Sequence, residues 1–210
     1  KQVLNLGNHP LCDDLLPVGT QKVCNEYPIK ILFCRDCKTA LQTVNVEKND
    51  LFSESYHYRS RFTGDVLDGM KGLVNDIEER EGSLKGKFAL DIGCNDGSLL
   101  DVFAKHGCIT AGVEPTGAVD DADQTSHRLY KNYFDTGTAQ QILDDIGSPN
   151  IITFTNVFAH IEDLQSLLSA VKILISDKTL LVIENHYLGS VIDLKQFDTF
   201  YHEHPRTYSL

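Results

Sequence analysis

From Lys87 onward, short apolar runs alternate with segments whose apolar positions recur every three or four residues. KFALDIG from Lys87, CITAGVE from Cys108, NIITFTNV from Asn150 and TLLVIEN from Thr179 are too short and too continuously apolar for surface helices. They read as buried strands, and HRLYKNYF from His127 as a weaker one. Between them, SLLDVFAKHG (ended by Gly107), TAQQILDDIG and LQSLLSAVKILI carry helical spacing. Strands separated by helices predict an α/β fold, a doubly wound, Rossmann-like parallel sheet that binds ligands beyond the carboxyl ends of its strands. Upstream, Val66, Leu67, Met70, Leu73, Val74 and Ile77 predict an amphipathic helix to about Arg80, joining a smaller region to the sheet domain. That smaller region, 1–62, is β-rich around IKILFC, with turn signals at NHP and PVGT. The chain is therefore read as a small N-terminal domain, 1–62, and a larger domain, 63–210.

The net charge of −11 argues against nonspecific binding to nucleic acid. No apolar run approaches the ~18–20 residues of a membrane span, and no signal peptide is visible, so the expected location is the cytoplasm. The first residue is Lys1 rather than Met, which implies an N-terminus further upstream. Without a secretory signal the six cysteines do not suggest a disulfide framework. Cys94 and Cys108 fall in core-like elements as buried thiols, while Cys34 and Cys37 form a C-x-x-C knuckle, half of a structural zinc site. Cys12 and Cys24 have no knuckle spacing but could complete an irregular site. A redox C-x-x-C would open a helix; this one follows a strand.

LDIGCNDGSLL is the most informative stretch of the larger domain. A strand ends at Asp91–Ile92, the chain turns through Gly93, Asn95 and Gly97, and a helix begins near Ser98. A dinucleotide fingerprint, G-x-G-x-x-G, would need glycine where Asn95 and Ser98 stand, which weighs against NAD or FAD. The pattern present, D-x-G-x-x-x-G, resembles motif I of class I S-adenosylmethionine-dependent methyltransferases. That resemblance implies a loop packed on the methionine part of the cofactor, with Asp91 helping to hold its amino group. Glu114 ends the second strand, where a carboxylate can accept bonds from both ribose hydroxyls. Phe134, in NYFD, lies where adenine should sit, and Asn156 and His160 follow the fourth strand.

The tail, FDTFYHEHPRTYSL, sets His202 and His204 around Glu203, just after Tyr201. Three readings compete: a solvated loop, a metal site on one strand face with Glu203 turned away, or an acid–base centre. LGNHPLCDDL, YPIKILFCRDC, YHYRSRF, LDIGCNDGSLL, GVEP, NVFAHIEDL, VIENHYL and the tail together resemble the sugar C-methyltransferases, which act on nucleotide-linked deoxysugars. The resemblance implies a zinc-binding N-terminal domain, with Cys34 and Cys37 as metal ligands, before a class I methyltransferase domain. It also implies S-adenosylmethionine as cofactor and a nucleotide-linked keto-sugar as substrate. His204 would be the base that removes a proton beside the ketone, Glu203 and Tyr201 would orient it or bind the sugar, and Tyr56 or Tyr58 would reach over the site. His202 would be structural and His160 a local hydrogen-bonding residue. The family's first cysteine pair would precede Lys1, and its last strands and C-terminal domain would follow Leu210, so the chain reads as the front half of a longer protein. Three other functions stay open: methylation of another acceptor, a non-catalytic zinc-ribbon module on a degenerate methyltransferase scaffold, and a nucleotide-sugar oxidoreductase.

Overall fold

The computed structural model describes residues 1–52 and 56–209. In chain order its elements are β1 (Gln2–Pro10), β2 (Glu26–Phe33), β3 (Ala40–Gln42), α1 (Lys48–Leu51), α2 (Gly64–Glu81), β4 (Phe88–Ile92), α3 (Ser98–Lys105), β5 (Ile109–Val113), β6 (Arg128–Tyr130), α4 (Thr136–Asp145), β7 (Ile151–Thr155), α5 (Leu164–Leu174), β8 (Leu180–Glu184), α6 (Leu188–Asp193) and β9 (Arg206–Thr207). They form two compact units. One gathers Lys1–Ser53, Asn156–Glu162 and Glu184–Leu210; the other holds Glu54–Thr155 and Asp163–Ile183. This grouping differs from the linear division 1–62 and 63–210, because later segments return to the N-terminal strands.

The larger unit is built on a five-stranded sheet of order β6-β5-β4-β7-β8. The pairs β4–β5, β4–β7 and β5–β6 are parallel. Every residue of β4 is buried, which is why FALDI shows no polar alternation except at its functional end. On one face of the sheet, Met70, Val74 and Ile77 of α2 pack with Leu99, Val102 and Phe103 of α3 against Ala89 and Ile151. Their helical spacing is the pattern visible in the sequence. At Gly112 of β5 an added Cβ would lie 2.5 Å from Cys94 Sγ and 2.8 Å from Leu100 Cδ1. A glycine there leaves room for the turn after β4 to sit close against β5, which positions the loop described below.

The smaller unit contains an antiparallel sheet of order β1-β2-β3-β9. Ile29, Ile31, Ala40 and Leu188 form its buried cluster, with Leu4, Leu6, Phe33 and Phe200 packed around it. NHP is not a turn: Asn8, His9 and Pro10 continue β1 opposite Pro28, Tyr27 and Glu26. Local turn preference yields there to ladder pairing, with the irregularity displaced to a register shift at Gly7, whose φ is +88°. PVGT does turn, with Thr20 N–H bonded to Pro17 O at 3.1 Å. The short elements α6 and β9 carry no signal read from the sequence. β9 pairs with β3 through Ala40↔Thr207 and Leu41↔Arg206, so the tail is stitched into the N-terminal sheet. Among the described residues no helix is long and apolar enough to cross a membrane.

Candidate active site

The turn after β4 is left-handed at three residues, Gly93 (φ +74°), Asn95 (φ +50°) and Gly97 (φ +77°). At Gly97 a Cβ would approach the Ala122 Cβ to 2.8 Å, so glycine is required there on two grounds. Gly93 N–H and Cys94 N–H both donate to Val113 O, at 2.7 and 3.1 Å, tying the turn to the end of β5. Glu114, the next residue, is buried at 6% exposure. Its Oε2 accepts from Asn95 N–H at 3.1 Å and its Oε1 from Thr116 N–H at 2.9 Å. Each carboxylate oxygen keeps a second lone pair, so the oriented group can still accept a diol.

Asp91 is 3% exposed, and its Oδ1 accepts from Thr153 Oγ1 on the neighbouring strand at 2.6 Å. Burial pushes its pKa up to about 7; the Thr153 bond opposes the rise and the Glu114 charge adds to it. A carboxyl raised in this way gains charge more readily when a cation lies beside it. Phe134 packs edge-on to Phe154 of β7, ring centroids 6.3 Å apart. Asn156, in the smaller unit, is left-handed (φ +55°) and bridges to Glu184: its N–H reaches Glu184 O at 2.9 Å and its Nδ2 reaches Oε1 at 3.3 Å. Tyr56 is half-buried, its carbonyl accepting from Arg59 Nη1 at 2.6 Å, and Tyr58 is exposed.

In the smaller unit the tail forms a turn, and His202, Glu203 and His204 are all at least 95% buried. The strand-face arrangement considered for a His202–His204 metal site is therefore absent. His204 lies among three rings: Tyr201 at 4.2 Å, His186 at 4.7 Å and His160 at 4.8 Å between centroids. Its Nδ1 faces Thr199 O at 3.2 Å, which assigns the proton to Nδ1; Nε2 is then the lone-pair nitrogen, 3.1 Å from the Tyr201 hydroxyl. Burial lowers the His204 pKa to about 3, and the neighbouring His160 and His186 add to the shift. The imidazole thus stays neutral through neutral pH. Burial likewise holds His160, His186 and His202 below the ordinary histidine value.

This has a stability consequence. In the unfolded chain His204 takes a proton near pH ~6.5, but in the fold it resists protonation, so its contribution falls as the pH drops through the window from ~6.5 towards ~3. Asp91 acts in the opposite sense, because its raised pKa lets the folded state bind the proton first. The clean measurement is therefore a difference. Between about pH 7.5 and about pH 5, wild type should lose roughly 2 kcal/mol more than the His204→Asn variant in urea unfolding. Parallel pH profiles for the two proteins would contradict a buried neutral His204.

The tail is held by partners distant in the chain. Gln42 Nε2 on β3 donates to Tyr201 O at 2.5 Å and His204 O at 3.0 Å. His160 Nδ1 bonds Glu203 O at 2.6 Å. The Glu203 carboxylate turns towards Cys12, whose thiol donates to Oε1 at 2.8 Å. Burial, then Glu203 itself, raises the Cys12 pKa, so this thiol remains protonated and acts as a hydrogen-bond donor. Cys12, Asp13 and Glu203 place potential ligand atoms within 4.8 Å of one another, but in this protonated form the thiol serves the carboxylate. His202 Nε2 bonds Tyr27 O at 3.1 Å. His186 sits in VIENHYL, inside the family resemblance but without an assigned role; only the fold shows it against His204.

Cys34 and Cys37 flank the turn between β2 and β3. The Cys37 thiol is held below its ordinary pKa first by Thr39 and then by Cys34. Cys24 is engaged elsewhere, its thiol 3.4 Å from Asp14 O. Cys34 and Cys37 keep the C-x-x-C spacing that suits half of a tetrahedral zinc site.

Residues 69–210 match the family described as Methyltransferase domain. Over 99% of its length the chain is 27% identical to the C-methyltransferase NovU of Streptomyces niveus, covering 50% of that protein. Over 46% of its length it is 31% identical to a ubiquinone biosynthesis O-methyltransferase of Coxiella burnetii, covering 44% of it. The chain thus spans about half the length of these curated relatives. A crystal structure of a SAM dependent methyltransferase from Archaeoglobus fulgidus shares the fold with a TM-score of 0.50 and 19% identity, over 66% of this chain and 63% of that one. The five-stranded Rossmann-like sheet is that of class I S-adenosylmethionine-dependent methyltransferases, and the chain belongs to the methyltransferase domain family.

Proposed function

We propose that this chain carries the cofactor site and the base of an S-adenosylmethionine-dependent C-methyltransferase acting on a nucleotide-linked keto-deoxysugar. The observation that carries the reading is His204: a buried imidazole with its proton assigned to Nδ1 and Nε2 presented beside the Tyr201 hydroxyl. Carbon is not nucleophilic until a proton leaves the position next to the ketone. Nε2, which accepts the Tyr201 hydroxyl proton in the substrate-free site, takes the carbon proton once that hydroxyl turns to bond the sugar, and Thr199 O stabilises the imidazolium through Nδ1–H. When bound, the cofactor supplies an electrophilic methyl group. Glu114 holds its ribose, Gly93, Asn95 and Gly97 shape the backbone against it, Asp91 faces its amino group and Phe134 its adenine. Tyr56 contributes to the substrate side. Cys34 and Cys37 provide half of a structural zinc site within the 1–62 region. Likeness to a C-methyltransferase along nearly the whole chain supports this reading, and six free thiols suit a reducing cytoplasm.

Solvent exchange tests the carbon chemistry. Incubated in deuterium oxide with a nucleotide-linked keto-sugar and no cofactor, the full-length protein should catalyse deuterium incorporation beside the ketone. A sugar that stays protiated would shift the reading to methyl transfer onto oxygen or nitrogen, where no carbon proton is removed.

A further inference from the structure

Residues 56–62, just before α2, are laid along the glycine loop and joined to it by polar contacts. Ser60 N–H donates to Asn95 Oδ1 at 3.1 Å, and Asn95 Nδ2 donates to Tyr58 O at 3.2 Å. Arg61 donates to Asp96 Oδ2 from its backbone N–H at 2.9 Å and from Nε at 3.0 Å. Its Nη2 spans two carbonyls, Asp96 O at 2.9 Å and Asp121 O at 2.6 Å. Arg59 Nε adds a bond to Asp121 Oδ2 at 2.6 Å. The Asp96 side chain is completely buried, and its other oxygen accepts from Ser98 N–H and Oγ at the start of α3. Burial alone would raise this carboxyl's pKa, but Ser98 and Arg61 hold it below the ordinary value.

The positions of these atoms matter more than their number. Asp96 belongs to the loop after β4, and Asp121 to the segment after β5 that follows Glu114. One guanidinium therefore bridges the two loops that carry the glycine turn and the ribose carboxylate. A planar, forked donor can make such a bridge; a lysine ammonium on its single stem would not reproduce it. Asn95 is a second link. Both ends of its side-chain amide are committed to the strap, its backbone is held left-handed, and its N–H orients Glu114 Oε2. The side chain of Asn95 thus serves the strap, while its backbone serves the site.

We propose that Arg61 is a positioning residue for the cofactor: seated on Asp96, it sets the spacing of the two loops, and the strap it anchors, Tyr56–Phe62, orders in step with cofactor occupancy. This rests on the cofactor reading above. It adds that Tyr56, assigned to the substrate side, is carried on a segment whose order the cofactor loops control. Binding linkage makes the coupling reciprocal, so the cofactor should steady the strap and the strap should tighten the cofactor.

Hydrogen exchange of the full-length protein, with and without S-adenosylhomocysteine, tests this. In wild type the ligand should slow exchange in peptides covering Tyr58–Arg61 as well as in the loop Gly93–Gly97. In Arg61→Gln, calorimetry should show affinity for S-adenosylhomocysteine weakened roughly tenfold or more, and ligand-linked protection of the strap should disappear. A residue that only supports the fold would lower the melting temperature of the variant while leaving strap protection intact. Wild-type protein that binds the ligand and protects Gly93–Gly97 but not Tyr58–Arg61 overturns the proposal by itself, even if the variant fails to fold. Wild-type protein with no affinity for the ligand overturns it together with the cofactor reading, and the two failures are told apart by the calorimetry.

Discussion

His204→Asn in the full-length protein is expected to cut turnover by roughly 10²–10⁴-fold, the usual value of a positioned general base. Asparagine is close to histidine in size and can still donate to Thr199 O, so the turn held by Gln42 and His160 should survive. What it lacks is a basic nitrogen opposite the Tyr201 hydroxyl. Because that nitrogen acts only as the proton leaves, kcat and kcat/KM should fall together. Affinity for S-adenosylhomocysteine, which we assign to Gly93–Gly97 and Glu114, should stay within about threefold in this scheme. Deuterium exchange into the keto-sugar should be lost in parallel. Near-normal turnover in the variant would remove His204 from the role of base.

Glu114→Ala is expected to weaken S-adenosylhomocysteine by about 10²-fold. A carboxylate accepting both hydroxyls of a ribose makes two charge-assisted bonds, each worth about 1.5–3 kcal/mol when its partner is desolvated. Part of that is offset because the truncated pocket admits water, which leaves about 3 kcal/mol, or two decades. The loss should extend to the loop, since Asn95 N–H and Thr116 N–H lose their acceptor. Glu114→Gln should also be impaired: its amide NH₂ would meet one of those two backbone donors and have no lone pair to offer. Unchanged calorimetry for both variants would mean that the carboxylate orients the loop without touching a ribose.

The parts of the protein legible in the sequence share one property: each is encoded over a few consecutive residues. The run of buried residues in β4 and the spacing of Met70, Val74 and Ile77 in α2 are local patterns, and the observed elements fall on the predicted ones to within a few residues. The left-handed turn of Gly93 and Gly97 is a local demand on backbone sterics, and Glu114 follows from being the residue after a strand. Where local preference competed with pairing it lost, as at Asn8–Pro10, whose turn-forming residues extend β1 because β2 satisfies their backbone.

The sequence by itself determined a parallel sheet, a glycine turn after its first strand and a carboxylate one strand over, because strand periodicity and glycine spacing act at short range. Only the tertiary structure decided which groups surround the tail. His160, His186 and Gln42 lie far from His204 along the chain, and their approach depends on β9 pairing with β3 and on the return of Asn156–Glu162 to the N-terminal sheet. The low pKa of His204 and the clamp of Arg61 on Asp96 have the same origin. Burial and hydrogen-bond direction belong to the folded surroundings of a residue, and no short stretch of sequence carries them.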